Sequence, residues 1–197
     1  MKNWFIRSNG ETLHNNPETV DYVPGEPPEY PLKEFNYRLK CLEDGFARYG
    51  FPNTGDLTLK QPTRLAPLGY SFQDIETRYK TYLRKFLSIE AGDIILIPAD
   101  QDSGEVHLGI ALTVDRKKVV PYINPRPSAY FYYHNIEQHD WYECAHRVNV
   151  QWATSGPNDF SVFRIHETEG NVWIHAFSQV KDDNGAIYQA AMKSKLF

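Results

Sequence analysis

The sequence predicts an α+β fold, with its helices early in the chain and most of its strands late. Three observations carry that expectation. Trp4-Phe5-Ile6 is a short β-prone start, two helical apolar stripes lie between 33 and 88, and the apolar period changes near Ile89. A helical insertion of about 33–88 therefore follows a first strand, and a β-rich part covers about 89–177. The 197 residues fit one domain of ordinary size.

The first strand stops at the turn cluster Ser8-Asn9-Gly10. Residues 15–31 carry Asn15-Asn16-Pro17 and Pro24-Gly25-Glu26-Pro27-Pro28. Proline fixes φ and removes a donor, so this stretch reads as an extended connection. Phe35, Leu39, Leu42 and Phe46 recur at intervals of three and four, which predicts a helix over 33–49 with a stop at Gly50. Phe72, Ile75, Tyr79, Leu83 and Phe86 predict a second helix over 71–88, with Ser71 as its cap.

Beyond Ile89 the apolar runs shorten. Ile94-Ile95-Leu96-Ile97, bounded by Gly92-Asp93 and Pro98, suits a strand buried on both faces. Val106–Val114 is a second strand, closed by the charged turn Asp115-Arg116-Lys117-Lys118, and Val119-Val120-Pro121 begins a third. Cys144–Trp152 alternates, with Val148, Val150 and Trp152 on one side. Phe160–Ile165 and Val172–Phe177 complete the set. Short strands separated by turn signals predict a small barrel or a strongly curved sheet.

Two distant cysteines, Cys41 and Cys144, form no disulfide framework and suit a reducing compartment. No apolar stretch nears the length of a membrane span and no signal-type segment opens the chain, so the expected setting is soluble and cytoplasmic. The net charge of -4 argues against a general polyanion binder, but it is unevenly placed. Ten basic and six acidic residues between Lys33 and Ser88 leave that segment at +4 and the rest of the chain at -8. Such asymmetry can mark a face that meets phosphate, with Arg48, Arg84 and Lys85 as candidate contacts, or simply two solvated helix surfaces.

Several constellations suggest chemistry. Trp141, Trp152 and Trp173 could wall a stacking pocket beside the run Tyr130-Phe131-Tyr132-Tyr133. Side chains alternate along a strand, so those four aromatics cannot all enter one core. His134, His139, Cys144 and His146 are zinc-type residues, but their spacing matches no compact ligand pair, and no metal is expected. Asp115-Arg116-Lys117 has the Asp-x-Lys form of metal-dependent nucleases, although its setting is that of a hairpin tip. No catalytic residue and no cofactor are predicted.

Trp4-Phe5-Ile6-Arg7-Ser8, Ile89-Glu90-Ala91-Gly92-Asp93-Ile94-Ile95-Leu96, His107-Leu108-Gly109-Ile110-Ala111 and Arg147-Val148-Asn149-Val150-Gln151-Trp152 together resemble the PUA-like superfamily, and within it the EVE domains. The resemblance covers roughly 2–8 and 89–152. It implies a small β-barrel whose cleft holds a base extruded from a DNA or RNA strand, modified bases included. By position it points to Ser8, Asn9 and Asp100 beside the aromatic candidates Trp141 and Trp152. Asn9-Gly10 stands where the family often has Glu-Pro, and Phe46, Arg48, Tyr49 and Asn53 are loose stand-ins for its helical motif. The expected function is non-enzymatic nucleic-acid binding. The alternatives are a small metal-dependent nuclease and a protein-interaction module using the 130–133 aromatics.

Overall fold

A computed structural model of the chain describes residues 1–6, 12–13, 34–35, 37–48, 56–59, 77–99, 104–115, 125–133, 146–157, 159–164, 177–182 and 185–196. In order, the elements are β1 (Asn3–Ile6), β2 (Thr12–Leu13), β3 (Glu34–Phe35), α1 (Tyr37–Glu43), β4 (Phe46–Arg48), α2 (Thr77–Phe86) and β5 (Ile94–Pro98). They continue with β6 (Glu105–Ala111), β7 (Tyr130–Tyr132), β8 (His146–Trp152), β9 (Thr154–Gly156), β10 (Asp159–Phe160), β11 (Val162–Arg164), β12 (Phe177–Val180) and α3 (Ala186–Lys193).

Eight strands form one sheet that curls into a half-barrel, in the order β12-β1-β5-β6-β8-β4, with β11 on β6 and β7 on β8. β1 runs parallel to β5 and antiparallel to β12, and the remaining pairings in this sheet are antiparallel. The fold is thus mostly β with few helices, as the change of period implies.

The apolar run of β5 behaves as expected, since Ile94 through Ile97 are all at most 1% exposed. Period-two alternation sends them to two cores. Ile95 and Ile97 join Trp4, Ile6, Leu83, Phe86, Val148, Val150, Trp152 and Phe177. Ile94 and Leu96 join Phe5, Leu108, Ile110, Ile187, Ala191 and Leu196. The sheet is therefore packed by α2 on one face and by α3 on the other. Burying one such side chain contributes roughly 1.5–3 kcal/mol, which makes β5 the centre of the fold.

Gly92-Asp93 sets the start of β5. Gly92 has φ +91, a conformation that L side chains resist, and a Cβ there would lie 3.3 Å from the Arg126 guanidinium. Asp93 is fully buried. Its carboxylate accepts from the Lys2 amide (2.8 Å), the Trp4 indole (2.9 Å), the Glu90 amide (3.2 Å) and Arg126 (2.7 Å). A buried charge is tolerated when several donors satisfy it, and here they hold β1 against β5.

The helix expected over 33–49 is shorter than its stripe suggests. α1 stops at Glu43, Gly45 takes φ +67, and Phe46–Arg48 turns into a strand paired with β8. Leu39 is consequently 45% exposed rather than part of a continuous face. Asp44-Gly45 breaks the helix, and the β8 ladder then outweighs local propensity. The segment expected as one strand over 160–165 is divided at Ser161, whose amide donates to the Ala153 carbonyl at 2.9 Å, giving β10 and β11.

α3 has no counterpart in the sequence expectations. Asp182 caps it, accepting from the amides of Ile187 (3.0 Å) and Tyr188 (2.9 Å), and Ile187 and Ala191 bury one side. The strand expected at 119–121, most of that at 172–177 and the start of the second helix, 71–76, lie outside the described residues.

Candidate functional site

Strand direction brings the ends of β1 and β5 to one end of the curled sheet. β1 and β5 run parallel, with Phe5 opposite Leu96, so both finish at the same end. There Ile6 faces Phe177 of β12, and Pro98 faces Val106 near the start of β6. β8 runs in the same direction as β5 and reaches Trp152 opposite Gly109, level with Ile95 near the start of β5. The chain leaves β1 two residues before Ser8 and leaves the Pro98-Ala99 corner immediately before Asp100. Ser8, Asn9, Asp100 and Trp141 themselves lie outside the described residues.

Trp152 lies in the core on the inner face of the sheet, set back from this end. It is only 6% exposed, and its indole N–H donates to the Cys41 carbonyl of α1 at 2.9 Å. Gly109 is what admits the ring. A Cβ at Gly109 would stand 2.4 Å from Val150 Cγ1, 2.7 Å from Trp152 Cε3 and 2.9 Å from the Gln151 carbonyl oxygen. Trp152 is thus committed to packing by one ring face and by its polar edge.

Two residues before Gly109, on the same inner face of β6, sits His107. It pairs with Ile97 of β5 on one side and Val162 of β11 on the other. Val162 is 48% exposed, so this is where the inner face opens to solvent. His107 Nδ1 lies 3.2 Å from the Ser161 carbonyl oxygen. A carbonyl can only accept, so Nδ1 carries the proton and Nε2 is the bare acceptor. Burial pushes the His107 pKa below its ordinary value; the Ser161 hydrogen bond opposes that shift, and the nearby Arg38 charge of α1 reinforces it. The ring is neutral near pH 7. The sequence offered no periodic or spacing signal that singled out His107.

The predicted phosphate contacts separate. Arg84 and Lys85 are exposed near the end of α2, with the Lys85 ammonium 5.9 Å from the Tyr82 ring centroid. Arg48 is 1% exposed on β4, directly opposite Arg147 of β8. Arg147 is itself stacked between Phe46 (4.3 Å to the centroid) and Tyr133 (3.7 Å). Arg147 and Trp152 are five positions apart on one strand, so they face opposite sides of the sheet. Arg48 therefore shares neither the solvent surface of Arg84 and Lys85 nor the sheet face of Trp152, because pairing with β8 draws Phe46–Arg48 inward.

The aromatic run 130–133 alternates as a strand must. Tyr130 and Tyr132 are buried, and Phe131 and Tyr133 are half-buried, leaving no fully exposed ring. Tyr130 Oη accepts from the Leu57 amide at 3.3 Å and lies 3.1 Å from Nδ1 of His146. His146 is fully buried between Tyr130 and Tyr132, and burial pushes its pKa down to about 4. It belongs to a buried polar chain with Tyr130. Its zinc-type companions His134, His139 and Cys144 lie outside the described residues. Among the described residues no group of three or more His, Cys, Asp or Glu could hold a metal ion. Asp115 is exposed in the turn after β6, where it accepts from the Thr113 hydroxyl.

No protein-family model, no curated protein and no solved structure matches the chain. What its own geometry defines is a curled, mostly β half-barrel with few helices, one of them, α2, basic. Among the described residues no helix is long and apolar enough to cross a membrane.

Proposed function

We propose that the protein is a nucleic-acid-binding module of PUA/EVE-like character that holds an extruded base, modified bases included, at the open end of its half-barrel. The observation that carries this reading is α2. Thr77–Phe86 contains Arg78, Lys80, Arg84 and Lys85 and no acidic residue, in a chain whose net charge is -4. Lys80 and Arg84 are spaced i,i+4, where like charges destabilise a helix by a few tenths of a kcal/mol, about 0.2–0.5. A merely solvated face would intersperse carboxylates. A face that tracks phosphodiesters gains from omitting them.

In this reading Arg84 and Lys85 meet the backbone, while Ser8, Asn9 and Asp100 follow strands that end at the open end of the sheet. Stacking is assigned to Trp141, since Trp152 is committed to the core and serves as the floor behind the site. The test is a fluorescence-anisotropy titration of labelled single-stranded DNA and RNA, with and without modified bases, at two salt concentrations. Expected is salt-sensitive binding that is tighter for at least one modified strand. Absence of binding to every oligonucleotide at low salt rejects the reading.

A further inference from the structure

We infer that His107 is a specificity residue of this site, reading a nucleobase N–H with the bare Nε2 of a neutral imidazole. The inference rests on the base-binding reading above and deepens it. Three features of the geometry support it. The Ser161 carbonyl, 3.2 Å from Nδ1, fixes the tautomer, because only a protonated Nδ1 can face a carbonyl oxygen. Among the described residues Nε2 makes no hydrogen bond, and it is not one of the buried polar atoms sealed from solvent. His107 also stands at the mouth, between buried Ile97 and exposed Val162, on the sheet face that carries Gly109 and Trp152.

The ring cannot swing away cheaply. Its Nδ1 is tied to the β10–β11 corner, and only 9% of the residue is exposed. An acceptor held this rigidly pays little ordering entropy on binding and discriminates by what it faces. A ligand presenting an amino or imino N–H satisfies it. A ligand presenting a carbonyl oxygen, or an N-methyl group where the N–H was, leaves it unpaired. Arg38 of α1 lends a positive charge that acts on His107, and such a charge favours an acceptor or phosphate on the same ligand. The ligand class is therefore a base edge that pairs a donor with an acceptor, which is the pattern of an unpaired Watson–Crick edge.

Two experiments test this with the full-length chain. The first is the 15N spectrum of the His107 imidazole near pH 7, which should show Nδ1 protonated and Nε2 bare. A protonated Nε2 overturns the inference, whatever the protein binds.

The second uses 15-mer strands of abasic spacers carrying one central adenine, cytosine or guanine, each compared with its analogue methylated at the exocyclic or ring N–H. The wild type should bind the unmethylated form of at least one pair about threefold to tenfold more tightly, the range set by one net hydrogen bond. His107→Leu should abolish that ratio, and His107→Gln, which keeps a distal acceptor, should retain part of it. Thermal melts of both variants establish that they fold. If His107→Leu does not fold, the His107→Gln titration and the 15N spectrum still decide the matter. Binding with the same ratio in the wild type and His107→Leu overturns the role of His107 and leaves the nucleic-acid reading standing. No binding to any oligonucleotide rejects both.

Discussion

The indole N–H of Trp4 donates to the buried carboxylate of Asp93 at 2.9 Å, so the first strand is held to the fifth by a side chain as well as by its ladder. The same carboxylate receives the Lys2 and Glu90 amides and Arg126. Asp93→Ala would strand those donors together, whereas Arg126→Ala removes one partner and leaves three. Breaking a buried charged network costs about 3–5 kcal/mol. We expect Asp93→Ala to lose stability in that range and Arg126→Ala to lose less, as read from urea unfolding. Equal losses would show that the salt bridge, rather than the collected amides, dominates.

Gly109 is a packing requirement. A methyl group placed there meets Val150, Trp152 and the Gln151 backbone, all closer than 3.0 Å. Overpacking of this kind costs about 1–3 kcal/mol. Gly109→Ala should lower the unfolding free energy by that amount and shift the fluorescence of the tryptophan it displaces. A neutral substitution would mean that β8 can slide away from β6.

His146 makes stability depend on pH. Free histidine takes up its proton near 6.5, and buried His146 only near 4. Between those values the unfolded chain binds more protons than the folded one, so stability falls as pH drops across the window and levels off below it. The total is on the order of 3 kcal/mol, from roughly 1.4 kcal/mol per pH unit. His146→Gln should remove this part of the pH dependence, so that its stability difference from the wild type changes steadily across the window. Parallel profiles would show that His146 titrates normally.

If the proposed nucleic-acid reading holds, Arg84 and Lys85 should act through charge alone. Each phosphate contact on a single strand contributes about 0.7 to the slope of log affinity against log salt. The double change Arg84→Ala, Lys85→Ala should therefore reduce the slope by about 1.4 and weaken modified and unmodified strands alike. Both residues are exposed, so its thermal midpoint should stay near that of the wild type. A selective loss for the modified strand would place α2 at the base rather than at the backbone.

What the sequence by itself determined is written in short-range pattern. Ile94–Ile97 admits a strand buried on both faces because four consecutive apolar residues cannot all share one face. The alternation around Val148, Val150 and Trp152, the stripe through Leu83 and Phe86, and the unbroken basic charge of α2 are legible for the same reason: each depends only on neighbours in the chain.

Tertiary structure decided the rest. Phe46–Arg48 obeys helical spacing yet lies in a strand, because the turn at Gly45 delivers it to β8 and a ladder outweighs a few tenths of a kcal/mol per residue of propensity, about 0.7 at most. Arg48, whose charge suggests a phosphate ligand, is carried inward by the same pairing. His107 shows the converse. In the sequence it is one imidazole among seven, and it gains a defined tautomer only when β11 brings the Ser161 carbonyl to its Nδ1, 54 positions along the chain. Which face a residue occupies and which partner fixes its proton depend on strand register between distant segments, and local pattern does not encode that register.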